Sequence, residues 1–215
     1  MDRRHLLLGL ALAALPQLAQ AETKPPVPLN KVFGYLDKYL ALPPAERNRF
    51  TLNYQFRMDG KPAAGLKGDI IEADGRHTPI LLGPDGRART LPTLAQLKTA
   101  TLKMDVPPGT KMGVALEVVP LLPLSQQITA RDLELSVAQA GKGISAVAGV
   151  LSFAAPKLTG VSFVGAGSGT LRYADGKEAP LPVAKGNPYY DVKLAKGAVS
   201  VTLAKAPTKV EFRDS

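Results

Sequence analysis

Few residues in this chain have types and spacing that could do chemistry. The most suggestive stretch is VSFVGAGSGTLRYADG, residues 161–176, in which an apolar run enters Gly165, Gly167 and Gly169. Closely spaced glycines after a strand can bring backbone amides against a phosphate. The dinucleotide pattern G-x-G-x-x-G, however, needs its third glycine where a helix begins. Counted from Gly165 the sixth position is Thr170, and TLRYADGKEAPLP then alternates towards an Asp-Gly turn. That is a hairpin pattern, which offers no helix N-terminus to hold an anion. The loop is therefore expected to bend the chain sharply between two strands, and no nucleotide is expected as a ligand. VGAGSGT also approaches the nucleophile-elbow pattern G-x-S-x-G without matching it.

The remaining reactive side chains are sparse. The chain has no cysteine, and beyond residue 21 it has one histidine, His77. This excludes multi-histidine or thiolate zinc sites, cysteine nucleophiles and thiol redox chemistry. A Ser-His-Asp arrangement would have to recruit His77, which sits in DGRHTPI beside a turn and reads as an exposed polar residue. No metal and no cofactor is expected. Two-carboxylate glycan hydrolysis needs only a pair of acids across a cleft, and Asp69, Glu72, Asp74, Asp105 and Glu117 are the candidates. The first three precede a hairpin and look like solvent-face positions. Tyr189 and Tyr190, after Asn187-Pro188, are the candidate ligand-binding residues, though filling a sheet edge suits them better. Nucleic acid is not an expected partner, because stacking aromatics must share a face with basic residues. In FTLNYQFRM the aromatics instead share the apolar face.

The elements that must position these residues are mostly strands. In residues 50–58, Phe50, Leu52, Tyr54, Phe56 and Met58 alternate with polar residues, the period-two pattern of a half-buried strand. The same pattern recurs in Ala100/Leu102/Met104/Val106, in Met112/Val114/Leu116/Val118, in Val199/Val201/Leu203 and in TKVEFR. Asp59-Gly60, Asp74-Gly75, Asp85-Gly86 and Asp175-Gly176, each followed by Lys or Arg, predict tight hairpin turns. They lack the further acidic residues of a calcium loop. A short helix is expected over NKVFGYLDKYLALPP, capped by Asn30, with Val32, Phe33, Leu36, Tyr39 and Leu40 inward and Pro43-Pro44 as its stop. A longer helix is expected over 130–153, capped by Thr129, with Leu133, Val137, Ala140, Ile144, Val147 and Leu151 inward and Pro156 beyond its end. The fold class that follows is mainly β: an antiparallel, sandwich-like arrangement of about ten strands, with the longer helix packed on the sheet.

The N-terminus reads as an address. MDRRHLLLGLALAALPQLAQA has a basic start, an apolar stretch from Leu6 to Leu15 and the small-residue triplet Ala19-Gln20-Ala21. This is the layout of a secretory signal peptide cleaved after Ala21. Arg3-Arg4 leaves the twin-arginine and general secretory routes both open, and the destination is the periplasm or the exterior. The apolar stretch is well short of the ~20 residues that span a bilayer, so no transmembrane helix is expected in the mature chain. Residues 22–215 are read as one β-rich domain, with two lobes possible and a boundary near 121–130. Without the leader, 25 basic and 17 acidic side chains remain, a net charge of +8.

Between residues 85 and 165 an apolar helix runs into a Pro-x-x-x-Gly-Val-x-Phe strand, here Pro156, Gly160, Val161 and Phe163. This order of features resembles a family of uncharacterised secreted proteobacterial proteins, a domain of unknown function. The resemblance brings no catalytic residues with it. The expectation is an exported, non-enzymatic protein that binds an envelope component, a hydrophobic ligand or a protein partner. The alternative is a carboxylate-based hydrolase acting on glycan or peptidoglycan.

Overall fold

The computed structural model describes residues 25–148 and 157–214. The expected signal segment and cleavage point, the expected helix end over 149–153 and Pro156 lie outside the described residues.

The first half of the chain forms β1 (Val27–Pro28), α1 (Leu29–Val32), α2 (Leu36–Ala41), β2 (Phe50–Met58), β3 (Lys61–Pro62), β4 (Gly68–Ile71), β5 (His77–Pro79), α3 (Leu94–Thr99), β6 (Thr101–Met104) and β7 (Met112–Pro120). The second half forms β8 (Gln127–Thr129), α4 (Ala130–Ala148), β9 (Leu158–Val164), β10 (Gly169–Tyr173), β11 (Glu178–Pro180), β12 (Val183–Ala184), β13 (Asn187–Asp191), β14 (Ala198–Leu203) and β15 (Lys209–Asp214). The protein is mainly β, with four antiparallel sheets ordered β1-β6-β4-β5, β3-β2-β7, β11-β10-β14-β8 and β12-β13-β9-β15. About ten strands were expected and fifteen are found among the described residues, because six are pairings of only two or three residues. All six short strands sit at sheet edges. Short edges limit the unpaired backbone that a stray strand could join. The two long edges, β7 and β15, lie beside each other without a ladder between them.

Each half has its own buried cluster. Phe50, Leu52, Tyr54 and Phe56 on β2 are buried, as their alternation requires, and pack with Leu29, Phe33, Leu36, Tyr39, Ile70, Leu97, Leu102 and Val106. Phe33 meets Tyr54 and Phe56 edge-on, at ring-centroid distances of 5.0 and 5.9 Å. The second cluster gathers Ile128, Leu133, Val137, Val161, Phe163, Leu171, Tyr190, Val201, Leu203 and Val210. Helix α4 serves both: Leu133 and Val137 enter the second cluster, while Ala140 enters the first. Its start is fixed as expected, since the Thr129 hydroxyl accepts the Asp132 amide at 3.1 Å.

Several expectations need correction. The N-terminal helix is two short helices, α1 and α2, broken at Phe33–Tyr35, where Tyr35 takes a left-handed backbone (φ +67°). Pro28, not Asn30, stands at the start of α1. Helix α3 was not anticipated, although Thr93 and Gln96 form a reciprocal capping box there. On β7 the apolar face is only partly covered, and Val114 and Leu116 remain about 40% exposed (39% and 40%). Val199 is exposed because β14 bulges: Arg172 pairs with Ser200 and Tyr173 with Ala198, which leaves Val199 as the extra residue.

Candidate ligand groove at the seam

The region between the two clusters is built from a proline-stopped turn and one flank of α4. Pro43 and Pro44 end α2 and start a single 3-10 turn at Pro44–Glu46, after which the chain enters β2 at Phe50. Tyr39 donates its hydroxyl to the Phe50 carbonyl at 3.0 Å, and Arg47 Nε donates to the Leu42 carbonyl at 3.1 Å. These bonds hold the turn against its own half. Helix α4 then binds the turn from the other side. Gln139 accepts the Arg49 amide at 2.6 Å and donates to Ala45 O and Asn48 Oδ1 at 2.8 and 2.9 Å. The wholly buried Ser136 hydroxyl donates to the Arg49 carbonyl at 3.0 Å. Arg49 pairs with Asp132 at 2.7 Å and Lys142 with Glu46 at 3.4 Å.

Alongside this contact lies an open groove of about 370 Å³, lined by Ala45, Glu46 and Arg49 from the turn and by Leu135, Ala138, Gln139 and Lys142 from α4. Leu135 is 42% exposed, a large apolar side chain on the flank of α4 that faces away from both clusters. The groove thus offers Leu135 and the two alanines to an apolar group, with two cations, one carboxylate and one amide at its rim. Its lining contains no hydroxyl, thiol or imidazole, and Glu46 is its one carboxylate.

No family model, no curated protein and no solved structure matches this chain. The resemblance carried by Pro156, Gly160, Val161 and Phe163 therefore rests on those residues alone, and the groove must be judged by its own geometry.

The residues singled out in the sequence are not gathered in this groove. Adjacent strand residues face opposite ways, so Tyr189 and Tyr190 form no common surface. Tyr190 is wholly buried and donates its hydroxyl to Glu134 on α4 at 3.1 Å. Burial, reinforced by that carboxylate, pushes its phenol far above the ordinary tyrosine range. Tyr189 is half-buried, with the Arg213 guanidinium 3.9 Å above its ring. Neither is at a sheet edge, because β13 lies between β12 and β9.

Four of the five candidate carboxylates have side-chain partners outside the groove. Asp69 lies 3.6 Å from exposed His77 across the β4–β5 hairpin, Glu72 accepts from Gln96 at 2.6 Å, and Asp74 pairs with Arg76 at 2.7 Å. Asp105 is exposed just after β6. Glu117 on β7 is held between Lys209 at 2.6 Å and Arg87 at 2.8 Å. The Arg76 hydrogen bond draws Asp74 below its usual range. At Glu117 burial acts upward, but the bonds from Lys209 and Arg87 outweigh it and the net displacement is downward. A general acid needs the opposite displacement.

The glycine loop is committed to the fold. Gly165 and Gly167 take positive φ (+77° and +78°), and Ala166 between them is wholly buried in the second cluster. Asn187 Oδ1 accepts the Gly165 amide, Phe163 O the Ala166 amide and Ala166 O the Ser168 amide. The loop leads from β9 into β10, so the chain changes sheet there and enters a strand, as its alternation implies.

The seam should respond to acid. Asp132 is held below its ordinary value by the Thr129 hydroxyl first and by Arg49 second, and Glu117 is likewise low. A carboxyl depressed on folding stabilises the protein above its unfolded value, roughly pH 4, and that contribution fades as pH falls through the folded value. Thermal midpoints measured from pH 6 to pH 3 should fall. The fall should be shallower in an Asp132→Asn, Glu117→Gln double variant, which has already lost both contributions. Parallel curves for the two proteins would contradict this assignment.

Proposed function

We propose that this is an exported, non-enzymatic protein whose ligand or partner occupies the groove between α4 and the Pro44–Arg49 turn. The single observation that carries the reading is the groove's lining: an exposed leucine and two alanines beneath a charged rim, at the junction of two separate cores. Small-molecule sites favour such junctions and typically pair apolar walls with a few polar groups that fix orientation. The volume suits a small amphipathic molecule or the end of a larger envelope component. Export follows from the Arg3-Arg4, Leu6–Leu15 and Ala19-Gln20-Ala21 layout of the leader. Among the described residues no helix is long and apolar enough to cross a membrane, so contact with a bilayer by way of a spanning helix forms no part of the reading.

A photo-crosslinking residue in place of Leu135, compared with one in place of the exposed Leu81 remote from the groove, tests the reading in the native envelope. Adducts of one discrete mass at position 135 and none at 81 are expected. No adduct at either position, or the same adducts at both, refutes the assignment of the groove.

A further inference from the structure

The two cores are joined lightly. The first takes its buried residues from Leu29–Val106 and adds only Ala140, and the second takes its own from Ile128–Val210. The chain crosses between them at residues 121–126. The Leu121 amide is tied to Arg49 O and the Gln126 carbonyl to the Leu203 amide, which fixes the two ends of the crossing. Between them run Leu122, Pro123, Leu124 and Ser125, outside any strand or helix.

Among the described residues, several of the links between the halves are polar, including the buried Ser136 bond to Arg49 O. Arg49–Asp132, Lys142–Glu46 and Lys209–Glu117 each join one half to the other, and none is deeply buried, with side-chain exposures between 32% and 71%. Lys38 Nζ adds a bond to Val147 O at 3.0 Å. The apolar links are small: Ala140 and Gly143 of α4, the latter against the Phe50 ring, together with Leu158 and Phe212, which touch both clusters. The long edges β7 and β15 approach without pairing. Interfaces that carry half-exposed charges are the kind across which domains move.

We infer that the seam is a hinged joint. The second half, carrying α4, swings about Leu122–Ser125, parts the three ion pairs, draws Gln139 away from the Pro44–Arg49 turn, and widens the already open groove beside it. The motion rests on the seam alone, while its use as the groove's entrance rests on the binding reading. An apolar ligand bridging Ala45 and Leu135 would hold the closed form, and the open form would admit it.

The chain has no cysteine, so two introduced cysteines would be the only ones. Lys98→Cys in α3 and Thr202→Cys in β14, both exposed positions, place one fluorophore on each half for single-molecule energy transfer. Near 0.1 M salt a dominant short distance is expected with a minor open population of roughly 0.1–10%. At 1 M salt, where screening acts over about 3 Å, the open share should rise several-fold. In the Asp132→Asn, Glu117→Gln double variant it should be raised already at 0.1 M. Labels at Lys98→Cys and Lys61→Cys, both within the first half, should keep one distance throughout.

One unchanged inter-half distance in every condition overturns the hinge, and so does broadening of the within-half pair to the same extent. If the double variant does not fold, the salt series on the otherwise unaltered protein decides. A groove that yields no adduct while the distances respond to salt removes the binding reading and leaves the hinge. Fixed distances with a bound ligand do the reverse.

Discussion

Gly160→Ala is expected to be among the most damaging single-methyl additions in the protein. Gly160 lies on β9, paired with Asp191 on one side and Arg213 on the other. A Cβ there would run into the Tyr190 carbonyl group and stand 3.0 Å from the Asp191 Cα. These are backbone atoms of β13, held in register against β9, so no side chain can rotate away to make room. Overpacking typically costs about 1–3 kcal/mol, and a collision with backbone belongs at the top of that range or above it. Gly113→Ala on β7 is the control, because nothing lies within 4 Å of its added carbon. Strand glycine is itself unfavourable, so that change should be neutral or gain roughly 0.5 kcal/mol. Urea unfolding should lower the Gly160→Ala midpoint strongly and leave the Gly113→Ala midpoint unchanged or slightly raised. Similar midpoints would mean that β9 and β13 are not packed this closely.

Gly143→Ala and Gly141→Ala should have opposite signs although they lie two residues apart on one helix. Replacing a helical glycine by alanine ordinarily gains about 0.8–1.0 kcal/mol. Gly141 has open space around the added carbon, so its variant should realise that gain. At Gly143 the carbon would sit 2.5 Å from Phe50 Cζ. That ring is 2% exposed and stands edge-on to Tyr39 at 5.4 Å, so it cannot swing clear. A collision this close belongs at the upper end of the overpacking cost, so it should exceed the propensity gain and leave a net loss of up to roughly 2 kcal/mol. The same variant pushes α4 away from the turn and should raise the open population at the seam. Two stabilised variants would show that α4 does not rest on β2.

Much of the scaffold was legible because its signals are local. The alternation of Phe50 to Met58 fixed both the strand and its buried face, and the Thr129 cap located the start of α4. The Asp-Gly pairs at Asp59, Asp74 and Asp175 mark hairpin turns because glycine there meets a purely local need. Gly86 shows the limit of such reasoning. Its turn could be read, but the close approach of Phe56 O and Ala63 N, which also excludes a side chain there, involves residues far apart in sequence. Val114, Leu116 and Val199 followed the pattern yet remain exposed. Alternation says which residues share a face and not what covers it, and a bulge on β14 is set by its partner β10.

The groove was illegible for the same physical reason. Arg49 and Gln139 are ninety positions apart, and nothing local to either announces the other. One signal was available: Leu135 lies off the Leu133–Val137–Ala140 stripe, and an apolar residue on the outer flank of an otherwise amphipathic helix invites a question about its surroundings. Tyr189 and Tyr190 attracted attention as the one adjacent aromatic pair. Strand geometry sends them to opposite faces, one into the core and one beneath Arg213.

Native mass spectrometry of the protein released gently from the cells that make it, compared with an Ala138→Trp variant, tests the central claim most directly. Ala138 is exposed on the groove wall, so an indole there should fill the groove without disturbing either core. The account predicts an additional bound mass on the unaltered protein, lost in Ala138→Trp and retained when the remote Leu81 is changed to Ser. A mass that persists in Ala138→Trp, or an unliganded monomer in every preparation, would contradict it.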